Sequence, residues 1–333
     1  MDNEGKSGLI LKDNFGRQIN YLRLAVTDRC NLRCNYCMPE NGIPPIPHKE
    51  ILSYEENLRL VNIFSDLGIK KLRITGGEPF VRKGLIDFIE SIRKSNPYIS
   101  IHITTNGTLI FQYLQKLKDL GINGINLSLD TFDKEKFRII THMGNLDDVL
   151  RTLDKIIELQ IPIKINTVVS NGFNADEIPD LAGVAKDKDI EVRFIEKMPF
   201  NGKSREVNFI NADEIYEILK RSYPKMIRLN GNNSTANLFS ISGFIGKIGI
   251  IESYTRSFCS TCNRIRITPS GMLKTCLYDD GVLDLREMLR ADYSGEDIKQ
   301  AVINCTNKRF ADGFAAENSS KIQVKNSMAA IGG

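Results

Sequence analysis

Six of the seven cysteines in this 333-residue chain fall into two groups of three. Cys30, Cys34 and Cys37 stand close together, and Cys259, Cys262 and Cys276 follow far along the chain. Clustered thiols bind soft metals or iron–sulfur clusters. A structural zinc site takes four ligands, and three thiols do not complete one. Three cysteines on a four-iron cluster leave one iron without a protein thiolate, which is a place for substrate to bind. The spacing therefore favours iron–sulfur chemistry over a zinc knuckle that borrows His48, or over free thiols. Cys305 is left over and reads as a buried thiol rather than a fourth ligand.

Cations make the second pattern. Arg23, Arg73, Lys164 and Arg193 sit inside predicted strands, flanked by apolar residues. A charge inside a barrel is expensive unless it is paired, so cations converging there suit an anionic ligand. Arg264 and Arg266 alternate in another predicted strand and share one face. Two guanidiniums beside a metal site suit a polyphosphate. The plainer readings are internal ion pairs, a solvated face and an exposed basic edge strand. Gly76-Gly77-Glu78-Pro79 brings paired glycines, which let backbone approach a ligand closely; by itself it is equally an ordinary turn. Thr104-Thr105-Asn106-Gly107 ends in a dipeptide common in turns of any protein.

The elements that must position these residues alternate along the chain. Strand-like runs cover Tyr21–Val26, Lys71–Thr75, Ile101–Thr105, Gly124–Leu129, Ile163–Val169 and Glu191–Ile195. Helical patterns lie between them, at Leu85–Lys94, Ile110–Leu120, Asp147–Gln160, Ala175–Lys188 and Ala212–Arg221, and one after Ser53, where Ser53-Tyr54-Glu55-Glu56 fits a capping box. Repeated strand–helix alternation predicts a parallel α/β sheet, open or closed, with chemistry at the C-terminal strand ends. Past residue 225 a polar loop and short runs at Leu238–Ile241, Lys247–Ile251, Arg264–Thr268 and Leu273–Thr275 predict a smaller antiparallel extension. Pro269-Ser270-Gly271 is its hairpin turn. The expected domains are 1–225 and 226–333.

Composition narrows the function classes. Hydrophobic residues make up 41% and charged residues 26%, the profile of a globular chain, with a net charge of only +4. Nucleic-acid binders usually carry a pI above ~9, so none is expected as partner. No apolar run reaches the ~20 residues that span a bilayer, and the polar start at Met1–Lys6 reads as no leader. A cytoplasmic location is the expectation, and a disulfide framework is not.

Cys-x3-Cys-x2-Cys with Tyr36 before the last cysteine resembles the signature of the radical S-adenosylmethionine superfamily. That resemblance implies an open iron that chelates the methionine part of S-adenosylmethionine, and a reductive cleavage that gives methionine and a 5′-deoxyadenosyl radical. Further marks are Thr27-Asp28-Arg29-Cys30-Asn31, Arg73-Ile74-Thr75-Gly76-Gly77-Glu78-Pro79, Cys262-Asn263-Arg264-Ile265-Arg266 and the terminal Gly332-Gly333. From Tyr21 to Gly333 the chain is similar to the GTP 3′,8-cyclases of molybdenum-cofactor biosynthesis (the MoaA family).

The resemblance implies a partial, six-unit parallel β/α barrel, closed at its side by the mainly antiparallel C-terminal extension. It implies two 4Fe-4S clusters, on Cys30, Cys34 and Cys37 and on Cys259, Cys262 and Cys276, the second engaging guanine. S-adenosylmethionine would lie on Tyr36, Gly77, Ser128 and Met198, and GTP on Arg23, Arg73, Thr104, Lys164, Arg264 and Arg266. The radical would take hydrogen from C3′ of the GTP ribose, and C3′ would then attack C8, with no side-chain acid or base. Implied partners are an electron donor and a downstream cyclic pyranopterin monophosphate synthase; the oligomeric state stays open, a homodimer included. The Gly332-Gly333 tail would enter the barrel near the first cluster. Two rival readings are a peptide-modifying radical S-adenosylmethionine maturase, a class with more C-terminal cysteines, and a non-catalytic zinc module that binds nucleotide or RNA.

Overall fold

The computed structural model describes residues 10–198, 209–229, 235–320 and 327–331. The start at Met1–Lys6, most of the polar loop after residue 229 and the Gly332-Gly333 pair lie outside the described residues.

Six parallel strands stand side by side in chain order: β1 (Tyr21–Ala25), β2 (Lys71–Thr75), β3 (Ser100–Thr105), β4 (Gly124–Ser128), β5 (Ile163–Val169) and β6 (Glu191–Glu196). The C-terminal region adds β7 (Met226–Arg228), β8 (Asn237–Ile241), β9 (Lys247–Ile251), β10 (Arg264–Ile267), β11 (Met272–Lys274) and β12 (Leu283–Asp284). The sheet runs β12-β11-β10-β1-β2-β3-β4-β5-β6-β9-β8-β7, so among the described residues its ends do not pair and the barrel is partial. The extension covers both edges. β9 lies parallel to β6 and β10 parallel to β1, while the outer pairs are antiparallel. Long connections impose no hairpin geometry, so a returning strand is free to add in parallel.

Helices pack outside. The box at Ser53 forms as read and caps Tyr54–Asp66. Leu85–Ser95, Leu146–Glu158 and Ala212–Ser222 match their sequence patterns closely. Ile178–Gly183 is shorter than its pattern, and Lys134–Thr141, with only eight residues, was too short to show a period. No helix among the described residues is long and apolar enough to cross a membrane.

Strand alternation then divides the sheet's two faces. Leu22, Leu24, Leu72, Ile74, Ile101, Ile103, Ile125, Leu127, Val192 and Phe194 are buried in one core with Leu60, Phe64, Phe88, Ile89 and Leu153 of the helices. Burying each such side chain contributes roughly 1.5–3 kcal/mol. That outer layer stabilises the fold and frees the inner face for polar residues. A closed barrel fills its interior with apolar layers; here Tyr21, Arg23, Lys71, Arg73, Asn126, Ser128, Lys164, Asn166, Glu191 and Arg193 line an open one.

Candidate functional site

The interior is a cavity of about 750 Å³. All six clustered cysteines line it, together with Tyr36, Gly77, Ser128, Met198, Arg23, Arg73, Thr104, Lys164, Arg264 and Arg266. Cys305 does not; it lies half-buried on the helix Gly295–Thr306, where a buried thiol was expected. His48, the histidine a zinc knuckle would borrow, is exposed and does not line the cavity either.

The first triad sits on the loop that leaves β1. The Gly76–Pro79 loop is stitched to it: the Gly77 N–H donates to the Thr27 carbonyl at 2.8 Å and the Glu78 N–H to that of Arg29 at 2.9 Å. A Cβ on Gly77 would stand 2.4 Å from the Arg29 carbonyl oxygen, so only glycine fits here. The turn after β3 holds the same loop. Asn106 Nδ2 donates to Asn31 Oδ1 at 3.0 Å and approaches Cys30 Sγ at 3.8 Å. Glu78, pushed up to about 7 by burial, accepts from Thr105 and the Asn106 N–H. Tyr36 Oη donates to Asp130 Oδ2 at 2.7 Å. From the C-terminal segment, Ser327 Oγ donates to the Cys37 carbonyl at 2.8 Å, and Met328 and Ala329 line the cavity.

The second triad lies at the opposite end of the strands. Cys259 and Cys262 precede β10, which runs parallel to β1 with Arg264 opposite Tyr21 and Arg266 opposite Arg23. The Pro269–Gly271 turn sends β11 back antiparallel, and Cys276 follows its end. The first triad thus lies at the C-terminal ends of the parallel strands, as expected there, and the second, carried by the extension, lies at the other end. Arg309 Nη2 donates to Cys262 Sγ at 3.0 Å. Burial pushes the Cys262 thiol up, but Arg309, Arg264 and Arg266 outweigh it and leave it below its ordinary value. Burial raises Cys34 and Cys37, the latter to about 12.

Between the triads run two rows of polar side chains. Arg266, Arg23, Arg73 and His102 are successive register partners across β10, β1, β2 and β3; Arg264, Tyr21 and Lys71 form the row beneath. Arg73 donates through Nε to Tyr21 Oη and through Nη1 to Thr104 Oγ1 at 3.3 Å. Lys164 and Arg193 both pair with Glu191, so two of the predicted cations already share a carboxylate. The buried Nε atoms of Arg264 and Arg266 have no hydrogen-bond partner among the described residues. Burial lowers Arg23 to about 9 and Lys71 to about 8, with neighbouring cations adding to the effect. So crowded a set of cations suits an anionic ligand. Sequence reading missed Tyr21, Lys71 and Glu191; their i,i+2 spacing from Arg23, Arg73 and Arg193 was the available signal.

Comparison with known proteins agrees with this geometry. Residues 24–185 match the Radical SAM superfamily and residues 190–313 match Molybdenum Cofactor Synthesis C. The GTP 3′,8-cyclase of Thermodesulfovibrio yellowstonii is 44% identical over 88% of this chain and 92% of its own. The chain belongs to the GTP 3′,8-cyclase family. Another GTP 3′,8-cyclase, from Peptoclostridium acidaminophilum, is 42% identical over 91% of this chain and 92% of its own. Molybdenum cofactor biosynthesis protein 1 of Bos taurus is 40% identical over 88% of this chain and 47% of its own. Among solved structures, Streptococcus suis SuiB bound to S-adenosylmethionine superposes with a TM-score of 0.59 at 15% identity, covering 84% of this chain and 68% of that one. That likeness concerns the fold alone.

As a radical S-adenosylmethionine enzyme of this family, the protein works with a 4Fe-4S cluster and S-adenosylmethionine. The donor set fits: Cys30, Cys34 and Cys37 are free thiols on one loop facing the cavity. Among the described residues, no three Cys, His, Asp or Glu side chains gather about a point as one ion requires.

Proposed function

We propose that this protein joins C3′ of the GTP ribose to C8 of its guanine, giving the 3′,8-cyclised nucleotide of molybdenum-cofactor biosynthesis. One observation carries the reading: a single cavity has a cysteine triad toward each end of its strands and rows of cations between them. Residues 1–225 hold S-adenosylmethionine, with Tyr36, Gly77, Ser128 and Met198 around it. Residues 226–333 carry the second triad, Cys259, Cys262 and Cys276, which holds a second 4Fe-4S cluster at the guanine end.

When bound on Cys30, Cys34 and Cys37, the first cluster supplies the electron that splits S-adenosylmethionine into methionine and a 5′-deoxyadenosyl radical. The chain's own residues position and shield. Arg264 and Arg266, with Nε atoms buried and unpartnered among the described residues, take the triphosphate together with Arg23 and Arg73. Thr104 and Tyr21 fix the Arg73 fork, and Glu191 holds Lys164 beside it. Holding both substrates in one cavity supplies orientation and limits the water that reaches the radical. The cyclised nucleotide passes to cyclic pyranopterin monophosphate synthase, and a separate donor supplies the electron.

Anaerobic assay with GTP, S-adenosylmethionine and a strong reductant tests the reading. About eight irons per chain with matching sulfide are expected. Cys30→Ala removes both 5′-deoxyadenosine and cyclised product. Cys259→Ser keeps 5′-deoxyadenosine formation and loses the cyclised product. Cyclisation at the normal rate in Cys259→Ser excludes a substrate-binding second cluster.

A further inference from the structure

Arg309 lies between the helices Gly295–Thr306 and Gly313–Ser319 and is only 4% exposed. Its Nη1 donates to the Cys262 carbonyl at 2.7 Å and its Nη2 to Cys262 Sγ at 3.0 Å. Nη1 also stands 3.5 Å from Asp13 Oδ2, whose side chain is fully buried. Asp13 in turn pairs with Arg17, at 2.5 Å through Nε. Arg17 Nη1 donates to the Cys259 carbonyl at 2.9 Å and to Ala311, and its Nη2 reaches the Phe310 carbonyl at 2.7 Å. Two distant pieces of chain, residues 13–17 and 309–311, thus converge on the Cys259–Cys262 turn.

Among the described residues the ion pairs here do not balance one to one. Two buried guanidiniums, Arg17 and Arg309, share one carboxylate, Asp13. A buried charge without compensation is costly. The missing negative charge lies where Arg309 points, at the sulfur of Cys262. A ligand sulfur bound to iron carries that charge, and an N–H donor aimed at it draws electron density away from the cluster. The first triad differs: Cys30 Sγ takes its bonds from neutral donors, the Leu32 N–H at 3.4 Å and Asn106 at 3.8 Å.

We propose that Arg309 is a positioning residue for the second cluster, which fixes the Cys262 turn and, through its N–H···S bond, raises the reduction potential of the cluster that Cys262 holds. This rests on the reading of Cys259, Cys262 and Cys276 as an iron–sulfur site. The Arg17–Asp13 pair sets the guanidinium in place and itself pins the Cys259 end of the turn.

The test is a redox titration followed by electron paramagnetic resonance on anaerobically reconstituted enzyme. The second cluster's signal is the one that persists when Cys30, Cys34 and Cys37 are all alanine. In Arg309→Met that signal should titrate at a more negative potential. The expected change is about tenfold in the reduction equilibrium, which is about 59 mV for a one-electron couple. Arg309→Lys, which keeps the charge without the fork, should recover part of the shift. An unchanged potential in Arg309→Met with full iron content overturns the proposal. If Arg309→Met loses the second cluster's iron, Arg309→Lys is titrated instead: a shift there supports the proposal and none overturns it. Wild-type enzyme with iron for one cluster only removes the reading beneath it, a failure that the iron count distinguishes from an unmoved potential.

Discussion

Arg266 of β10 lies directly opposite Arg23 of β1, on parallel strands more than two hundred residues apart in sequence. Two guanidiniums in adjacent register would repel across a bare sheet, and like charges directly opposite are destabilising. Arg73 on the far side of Arg23 extends the row. The arrangement makes sense as a site whose charge is completed by its ligand.

Arg264→Ala and Arg266→Ala should therefore weaken GTP binding by about 1.5–3 kcal/mol each, the range for a hydrogen bond to a charged group. That is roughly ten- to 150-fold in Kd. Isothermal titration calorimetry on the iron-loaded enzyme, without reductant, reads this apart from catalysis. Because Arg266 faces Arg23 across the strands, Arg266→Ala should not lower the melting temperature. An unchanged Kd would leave both arginines with no part in holding the triphosphate.

Gly77→Ala should fail for a different reason. The added methyl would stand 2.4 Å from the Arg29 carbonyl oxygen and 2.9 Å from that of Asp28, both backbone atoms that cannot swing aside. Overpacking of this kind costs about 1–3 kcal/mol, and here the strain falls on the loop that carries Cys30. Lower iron content and loss of 5′-deoxyadenosine formation are expected. Gly183→Ala, where the nearest neighbour is the Tyr223 hydroxyl at 3.6 Å, is the control. Full cluster loading in Gly77→Ala would show that the loop yields.

Local chemistry was legible in the sequence, and lateral relationships were not. The spacing of Cys30, Cys34 and Cys37 marked a metal loop, and the alternation of Arg264 and Arg266 gave their common face. The six barrel strands also followed from runs of β-branched and apolar residues. The opposition of Arg23 and Arg266 depends on register, which no local pattern encodes, and so does the parallel entry of β10 beside β1. Lys164 and Arg193 were read as cations for an anionic ligand, with internal ion pairs as the plainer alternative; which carboxylate they would share became visible only when the sheet brought both onto Glu191. Arg309 is 47 residues from the sulfur it touches, and nothing near it in sequence announces that contact.

The C-terminal segment offers a third test. Ser327 bonds the Cys37 carbonyl, and Ile331 is 5% exposed, so the chain is already anchored at the cavity wall before its last two residues. Deleting Gly332 and Gly333 leaves those anchors in place. Iron content, melting temperature and 5′-deoxyadenosine formation should stay close to wild type while cyclisation falls sharply. Normal cyclisation in the truncated enzyme would make the glycines dispensable, and loss of iron would make them structural.

Tyr21 gives a pH dependence with a definite sign. Burial by itself raises its phenol, but Arg73, Arg23, Arg264 and Lys71 together bring it down to about 7. Near neutral pH the ring is therefore partly phenolate, a weak internal anion held by the cations that GTP is to use. An incoming triphosphate takes over those cations and places its own negative charge beside the phenolate. The bound state then favours the neutral phenol, so binding takes up a proton. By linkage, affinity falls as pH rises through about 7, by up to roughly tenfold per pH unit once the phenol is ionised in the free enzyme. Ionisation of GTP itself also changes with pH, but it enters wild type and Tyr21→Phe alike. The difference between their two plots of log Kd against pH therefore isolates the phenol. Wild type should weaken relative to Tyr21→Phe above pH ~7 and match it more closely below. Absorbance near the phenolate band should fall when GTP is added to the wild type at pH ~8 and stay unchanged in the variant. Parallel plots would mean that Tyr21 stays protonated throughout, with the Arg73 hydrogen bond as its whole contribution to the site.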